Sequence, residues 1–455
     1  MKKLLLLPLI AISIVVTAQT TAIPDANFEQ ALINLGRDNV IDGGVLTANI
    51  SGLTNLDVSN KSIIDLTGIE DFTALQTLHC RDNQLTSLDV TQNTDLTSLE
   101  CNNNQLTSLD VTQNTDLTDL KCPVNQLTSL DVTQNTALTD LNCYNNQLTS
   151  LDVTQNTALT DLNCYNTQLT NLDVSQNTAL TFLDCVANQL TSLDITQNTA
   201  LTYLYCYINQ LTSIDVSQNI ALEILNCYGN TFTSIDVTGA TALIYLNCGV
   251  NQLISLDVTQ NTALTALNCY NAQLTNLDVS QNTALTELWC HSNQLTSLDV
   301  SQNIALEILN CGSNQLTCLN VKNGNNSNFA YFSAISNPNL TCIEVDDVAW
   351  STTNWTNIDP QTSFSTNCTN PCLPTSINET ALNTFELYPN PTTSTIALNN
   401  LQLGDEVSVY NTLGQRVYSS KVNVVTLSIN LSELGNNGIY FVRVNDISES
   451  VLLVE

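Results

Sequence analysis

Hydrophobic and polar residues alternate with a fixed period of 21 residues through the middle of the chain. The unit over residues 138–158 reads LTDLNCYNNQLTSLDVTQNTA, so L-x-x-L-x-C is followed by L-x-x-L-D-V. In both halves the apolar side chains alternate with polar ones, which is the pattern of short strands with one buried face. Since one unit cannot bury its apolar face alone, such units stack. We predict a mainly β solenoid of about 13 coils over residues 53–321, with short parallel strands on both broad faces.

The half-unit L-x-x-L-x-C-x-x-N-x-L resembles the leucine-rich repeat, with Cys in the third aliphatic position. Its double use in one unit resembles the nested 21-residue IRREKO class of bacterial leucine-rich repeats. Residues 63–75, IIDLTGIEDFTAL, are similar to the internalin type of repeat. The resemblance implies a bacterial leucine-rich-repeat surface protein. Residues 19–52 are then expected to form an N-terminal cap, and residues 322–368, where the period fails, a C-terminal cap.

Cysteine occurs at every twenty-first position from Cys80 to Cys311. These residues take inward positions that other repeats fill with an aliphatic residue, which favours buried free thiols. The alternatives are disulfides between neighbouring coils, for which the side chains point in unsuitable parallel directions, and metal binding, for which a linear stack does not converge.

Four further cysteines lie beyond the array and are the disulfide candidates. Cys318 and Cys342 occupy the outward Ser position of consecutive coils, and Cys368 and Cys372 follow closely. We favour pairing Cys318 with Cys342 and Cys368 with Cys372. The main alternative joins Cys342 to Cys368, which would fasten the cap.

Two columns of Asn accompany the apolar positions, one in each half of the unit. An inward amide at a bend satisfies backbone groups that no strand ladder reaches, and stacked amides are also expected to bond to one another. Thr167, Ala240 and Ala272 interrupt the columns and are expected to be tolerated. The first column comprises Asn83, Asn104, Asn125, Asn146, Asn188, Asn209, Asn230, Asn251, Asn293 and Asn314, and the second Asn93, Asn114, Asn135, Asn156, Asn177, Asn198, Asn219, Asn261, Asn282 and Asn303.

A column of Asp residues follows the second half-pattern. Like charges at strand spacing repel, and residues 82–321 contain 22 acidic side chains against one basic side chain, Lys121. Hard cations favour carboxylate oxygens, so one hypothesis is that Ca²⁺ bridges neighbouring coils. The alternative is a solvated acidic face that keeps the protein soluble. The candidate Ca²⁺ residues are Asp110, Asp131, Asp152, Asp173 and Asp194; no other cofactor is expected.

The outward residues of the first half-pattern vary from unit to unit and are rich in aromatic side chains. Clustered exposed aromatics are typical of contact with a partner, although cross-strand pairing that merely stiffens the sheet is the alternative. The neighbouring Asn residues add amide hydrogen bonding, which suits a protein or glycan ligand. The candidate ligand-binding residues are Tyr144, Tyr165, Phe182, Tyr203, Tyr205, Tyr207, Tyr228, Tyr245, Tyr270 and Trp289.

Charge excludes several classes of function. The 455-residue chain has 42 acidic and 10 basic residues, and a polyanion repels nucleic acid and anionic membranes. Its two histidines, His79 and His291, are about ten coils apart and cannot act together. No nucleophile with a nearby base and no Gly-rich phosphate loop is evident, so we expect the protein not to be an enzyme.

Both ends of the chain carry export features. Residues 1–18, MKKLLLLPLIAISIVVTA, predict a cleaved signal peptide, because they combine a basic start, an apolar stretch too short to span a bilayer and small residues at the cleavage site. The alternative is an uncleaved N-terminal anchor. No later segment is apolar enough to cross a membrane. Beyond the polar linker 369–384, residues 385–455 show alternating β-rich runs that predict a small antiparallel sandwich.

The C-terminal segment resembles a known family. The motifs YPNP at 388–391, GQRV at 414–417 and GIYFV at 438–442 are similar to the type A C-terminal sorting domain of the bacterial type IX secretion system. Glu449 and Ser450 depart from that family, whose last strand often carries a basic residue. The resemblance implies passage through the periplasm and across the outer membrane by the type IX machinery, to a secreted or cell-surface location. We therefore expect an adhesin-like binding protein; the alternative is a structural or ice-binding rod without a specific ligand.

Overall fold

A computed structural model provides the coordinates. It describes residues 18–369, residue 372 and most of 386–453, with gaps at 389–391, 400, 402–403, 412–414, 425, 435–437 and 445–446. The predicted signal peptide, up to residue 17, and most of the predicted linker lie outside the described residues. Two compact units, residues 1–373 and 374–455, are described separately. Within the described residues, no helix is long and apolar enough to cross a membrane.

The N-terminal segment closes the first coil of the solenoid. It contains β1 (Thr20–Ala22), α1 (Ala26–Asn34), β2 (Gly44–Leu46) and α2 (Thr47–Ile50), with β1 and β2 antiparallel. Asp25 caps α1 through Oδ1, which accepts from Asn27 and Phe28 N–H, while its Oδ2 accepts from Ile64 N–H at 2.7 Å. One carboxylate thus ties the helix to the start of the array.

The leucine-rich array consists of three-residue strands. In most of them, the central residue is buried and the flanking residues face outward, as the alternation predicts. The strands are β3 (Asn55–Asp57), β4 (Thr77–His79), β5 (Ser98–Glu100), β6 (Asp119–Lys121), β7 (Asp140–Asn142), β8 (Asp161–Asn163), β9 (Phe182–Asp184), β10 (Tyr203–Tyr205), β11 (Ile224–Asn226), β12 (Tyr245–Asn247), β13 (Ala266–Asn268), β14 (Glu287–Trp289), β15 (Ser297–Asp299), β16 (Ile308–Asn310), β17 (Cys318–Asn320), β18 (Tyr331–Ser333), β19 (Cys342–Glu344) and β20 (Ser363–Ser365).

Fourteen of these strands form one parallel sheet, hereafter the long sheet, which runs from β3 to β14 and continues through β16 and β18. The array has about 15 turns, so the expected 13 coils were too few. The reason is that the ladder continues past the last 21-residue unit: β18 pairs with β16 although Tyr331 follows its partner Ile308 by 23 residues. The predicted C-terminal cap thus contributes coils of its own.

The second broad face differs from the prediction along most of its length. Only the four strands β15, β17, β19 and β20 form a sheet there, all at the C-terminal end. Before them, the described chain shows two isolated bridges, Asp89 with Asp110 and Asp215 with Asp236. Backbone donors are satisfied locally instead: Thr154 N–H, for example, donates to Asp152 Oδ1 at 3.0 Å. The Asp side chain therefore accepts a hydrogen bond from a backbone N–H group that would otherwise be available to a neighbouring strand.

The Cys ladder is part of the buried core. All twelve cysteines from Cys80 to Cys311 are free and buried, which confirms the prediction. Burial in apolar surroundings disfavours the thiolate and raises the pKa of Cys80 to about 12. Because reactivity requires an accessible thiolate, these side chains serve as small apolar core residues.

The Asn columns satisfy the backbone at the bends. Asn146 Nδ2 donates to the carbonyls of Cys122 and Cys143 at 3.1 and 2.9 Å, and its Oδ1 accepts from Leu127 N–H at 3.0 Å. In the second column, Asn156 Nδ2 donates to two carbonyls at 2.9 and 2.8 Å. The expected side-chain bonds between stacked amides were wrong, because the amides bond instead to backbone groups of their own coil and of the preceding coil.

Aromatic residues and two disulfides close the C-terminal end. Trp355, 5% exposed, stacks on Phe332 with ring centroids 4.1 Å apart; it follows the short helix α3 (Val348–Asn354). The disulfides join Cys318 to Cys372 and Cys342 to Cys368.

All four candidate cysteines are therefore bridged, but the favoured pairing was wrong and the alternative Cys342–Cys368 is correct. Strands β17 and β19 are parallel and in register, so Cys318 and Cys342 project side by side from one sheet. Each pairs with the returning C-terminal segment, with Cα atoms 5.2 and 6.0 Å apart.

The described part of the C-terminal unit contains two antiparallel sheets and a separate core. One sheet contains β21 (Glu386–Tyr388), β22 (Thr395–Asn399) and β25 (Leu427–Asn430). The other contains β23 (Glu406–Asn411), β24 (Arg416–Lys421), β26 (Gly438–Val444) and β27 (Ile447–Leu453). Their apolar residues share one cluster, which confirms the predicted small antiparallel fold.

Candidate functional site

The sequence-variable surface lies on the long sheet. Three columns of side chains form it: the two outward positions of each strand and the residue that follows each ladder Cys. We call these residues the variable face. In β10, for example, Tyr203 and Tyr205 flank the buried Leu204, and Tyr207 follows Cys206. The sequence pattern predicts Tyr203, Tyr205 and Tyr207 as three outward positions of one strand, but the strand ends at Tyr205 and Tyr207 lies just beyond it.

Aromatic side chains of the variable face contact one another across coils. Near the middle of the array, Phe182 lies 6.5 Å from Tyr203 and 5.9 Å from Tyr205, measured between ring centroids. On the N-terminal side, Tyr144 and Tyr165 are 6.3 Å apart. These separations fit favourable aromatic pairs. The rings thus form contiguous patches, and Tyr203 keeps 37% of its surface exposed.

A second aromatic strip runs toward the C-terminal end of the array. Tyr270 lies 6.0 Å from Tyr228 and stacks on His291 at 4.7 Å, although Tyr228 is two coils away. The intervening coil has Gly249 in this column, which leaves room for the Tyr270 ring, since a Cβ atom at residue 249 would lie only 3.2 Å from that ring. Trp289 continues the strip at 6.1 Å from His291.

Two members of the strip were missed in the sequence. Trp289 stacks on Tyr331, with centroids 5.5 Å apart. From the sequence, Tyr331 belongs to the predicted cap because its spacing breaks the period, and only the strand pairing shows that it lies on the variable face. The sequence offers His291 only as one of two histidines too far apart for joint catalysis, yet it follows Cys290 and so occupies the same column as Tyr270. Burial lowers the pKa of His291.

Asn side chains line the column just before the ladder cysteines. Their carbonyl oxygens accept from the backbone two residues on: Asn163 Oδ1 from Tyr165 N–H at 3.1 Å, and Asn226 Oδ1 from Tyr228 N–H at 3.3 Å. Asn268 Nδ2 also donates to the Tyr245 hydroxyl at 3.2 Å. These amides hold the turn that follows each strand and fix the aromatic residues beside them.

Acidic residues dominate the N-terminal part of the variable face. Lys121 Nζ lies 3.1 Å from Asp119, 3.5 Å from Glu100 and 4.0 Å from Asp140. Burial, followed by repulsion from Asp119, raises the pKa of Asp140. The face therefore changes from acidic to aromatic along the array.

The Asp column on the other broad face has a structural role. Asp152 Oδ1 accepts from both the N–H and the hydroxyl of Thr154, at 3.0 and 2.7 Å. These hydrogen bonds lower the pKa of Asp152. Asp110, Asp131 and Asp194 make the same pair of bonds, and Asp173 accepts from Ser175 N–H.

Bridging of this column by Ca²⁺ stays a prediction. Within the part of the chain that the structure describes, no three His, Cys, Asp or Glu side chains are grouped so as to hold a metal ion. One oxygen of each candidate Asp already accepts hydrogen bonds from its own turn, so bridging would rest mainly on the second oxygen.

Comparison with known proteins defines the class of both units. Residues 386–452 match the family model of the secretion system C-terminal sorting domain. The solved functional domain of internalin J from Listeria monocytogenes, which includes a cysteine ladder, is 31% identical to this chain. The two align over 96% of this chain and 98% of that chain with a TM-score of 0.65. Internalin F from the same species shares the fold, at 22% identity, over 69% of this chain and 95% of its own, with a TM-score of 0.60.

These similarities define a leucine-rich-repeat protein with a secretion sorting domain, which is secreted or displayed at the cell surface. Within that class, the chain belongs to the internalin family, in its form with a cysteine ladder. By sequence, the chain is 42% identical to full-length internalin J over 71 residues, a match that covers 16% of this chain and 8% of internalin J. The chain thus matches a small part of that protein's length, and none of these descriptions names a catalytic family.

Proposed function

We propose that the protein is an adhesin-like binding protein that recognises a protein or glycan through the variable face. The observation that carries this proposal is the set of aromatic patches on the variable face. Near the middle of the array, the Phe182 ring contacts the rings of both Tyr203 and Tyr205. Binding energy is usually concentrated in such central aromatic clusters.

The export features support the same proposal. A sorting domain delivers the solenoid to the cell exterior, where a ligand of another cell or of the medium is accessible. We propose that residues 385–455 engage the type IX secretion machinery. The solenoid then acts outside the cell, and its role is recognition.

The alternative, an ice-binding or purely structural rod, is less well supported. A regular face of Thr hydroxyls would have to order water, yet Thr154 Oγ1 donates to the Asp152 carboxylate at 2.7 Å. The hydroxyls of Thr112, Thr133 and Thr196 are engaged by an Asp side chain in the same way, and an ionised carboxylate holds its own hydration. Thermal hysteresis of the purified protein would support this alternative.

The test is a glycan and protein array probed with the mature chain, followed by measurement of affinity for the ligand it identifies. Tyr205→Ala is expected to weaken binding about tenfold or more, because truncation of a central aromatic anchor typically costs at least 1.4 kcal/mol, or about a factor of ten. Asp152→Asn, on the other broad face, is the matched control and should bind normally. If Tyr205→Ala binds normally but melts early, the aromatics are scaffold and the proposal fails.

A further inference from the structure

One carboxylate of the variable face lies among aromatic rings. Asp184 ends β9, two residues after Phe182 and on the same face, and its Cα partner in β10 is Tyr205. The Phe182 and Tyr205 rings contact each other at 5.9 Å. Asp184 also interacts electrostatically with Tyr207, whose ring lies in the following turn. Asp184 is half-buried.

Asp184 has no counter-charge in the described part of the chain. The ion pairs there involve Arg81 and Lys121, both at the acidic end of the face, and neither reaches Asp184. Its Oδ1 accepts from Val186 N–H at 3.1 Å, and no hydrogen bond to Oδ2 is found among the described residues. Burial raises the pKa of Asp184 despite the bond from Val186. The ionised form therefore costs free energy in the folded protein.

The structural role of this position does not need a charge. Asp184 stands in the column that holds Asn163, Asn226, Asn247 and Asn310, and each of these amides accepts the same bond from the N–H two residues on. An Asn amide at position 184 would hold the turn equally well and would avoid the free-energy cost of burying a charge. The carboxylate is thus unexplained by the fold, which points to a use in recognition.

We propose that Asp184, Phe182, Tyr205 and Tyr207 form a binding site for the cationic side chain of an Arg or Lys residue in a basic polypeptide ligand. A cation over aromatic rings is attracted by their negative faces, and the Asp184 carboxylate supplies the counter-charge. The acidic residues Asp119 and Asp140, farther along the same face, favour a basic partner as well. This inference rests on the proposed function, since it specifies the ligand chemistry of the same face.

Two peptides and two variants test the proposal on the mature chain. The probe is a fluorescently labelled Gly-Arg-Gly-Arg-Gly peptide, and its control carries citrulline, a neutral isostere, in place of Arg. Fluorescence polarisation reports affinity. Asp184→Asn keeps the bond to Val186 and removes only the charge. Asp152→Asn changes the net charge equally on the other broad face.

We expect the Arg peptide to bind at least about tenfold more tightly than the citrulline peptide, and Asp184→Asn to lose that advantage. Asp152→Asn should bind like the wild type. The melting temperature of Asp184→Asn should not fall, which separates lost recognition from unfolding. Absent binding of the Arg peptide, equal binding of the citrulline peptide, or an unchanged affinity in Asp184→Asn would each overturn the proposal.

The outcome also distinguishes this inference from the broader one. If array screening identifies a ligand whose affinity falls in Tyr205→Ala but not in Asp184→Asn, the variable face is still the binding surface but the proposed cation site is wrong. A neutral glycan ligand would give that result.

Discussion

Replacing Ala272 by Asn should stabilise the solenoid. Ala272 stands where the first Asn column otherwise places an amide, between Asn251 and Asn293. In the preceding coil, Asn251 Oδ1 accepts from Phe232 N–H at 3.1 Å, and its Nδ2 donates to the carbonyls of Cys227 and Cys248 at 3.2 and 3.0 Å. At Ala272, the corresponding donor is the amide of Leu253, which is fully buried and has no acceptor among the described residues.

The size of the effect follows from these bonds. An unsatisfied buried donor costs about 1–3 kcal/mol, and each additional hydrogen bond contributes about 1 kcal/mol. Ordering the new side chain opposes this with about 1 kcal/mol. The net gain in the free energy of unfolding is therefore about 2 kcal/mol. Asn251→Ala, which creates the same defect one coil earlier, should lose a similar amount.

Urea unfolding followed by circular dichroism measures the overall change, and hydrogen exchange at the Leu253 amide measures it locally. The amide should exchange more slowly in Ala272→Asn. Ala272→Gln is the matched control, because its longer side chain cannot place the amide in the same position. Equal stability of Ala272→Asn and the wild type, with unchanged exchange at Leu253, would refute the assignment of the Asn column as the source of backbone satisfaction.

Four further predictions follow from the described contacts. Ile208→Asn should raise the melting temperature by relieving about 1 kcal/mol of backbone strain, because half-exposed, β-branched Ile208 has φ +54° at a position that Asn145 and Asn271 occupy in other coils. An unchanged or lower melting temperature would contradict this prediction. Thiol titration without reductant should find none of the twelve ladder cysteines in the native protein and all twelve after denaturation, whereas rapid native labelling would disprove their burial. Deletion of residues 385–455 should abolish surface display but leave solenoid melting unchanged, because the two cores share no residue; continued display would count against the sorting role. Asp184→Asn should be more stable than the wild type at neutral pH, and this advantage should vanish as the pH falls through the raised pKa of Asp184 in the folded protein toward the ordinary value of about 4, because the carboxyl group becomes neutral. A constant difference in stability across this pH range would contradict the cost assigned to the charge.

The sequence by itself determined the repeat architecture of the protein. A period of 21 residues with Leu, Cys and Asn at fixed positions leaves one arrangement that buries the periodic Leu and Cys side chains and satisfies the backbone at the bends. For the same reason the burial of the Cys ladder was predictable, since each thiol replaces an aliphatic residue in a position whose direction the strand alternation sets. The aromatic columns were also readable as outward positions, and Tyr203 and Tyr205 lie where that pattern placed them.

Tertiary structure decided what periodicity does not encode. The pairing of Cys318 with Cys372 depends on where the returning chain crosses the last coils, and Tyr331 joins the variable face through a strand that follows an irregular spacing. The environment of Asp184 has the same origin, because Phe182 belongs to its own coil whereas Tyr205 and Tyr207 belong to the next, and the three come together with Asp184 only when those coils stack. Repeat sequence specifies each coil and its register, whereas contacts between side chains of different coils arise from packing.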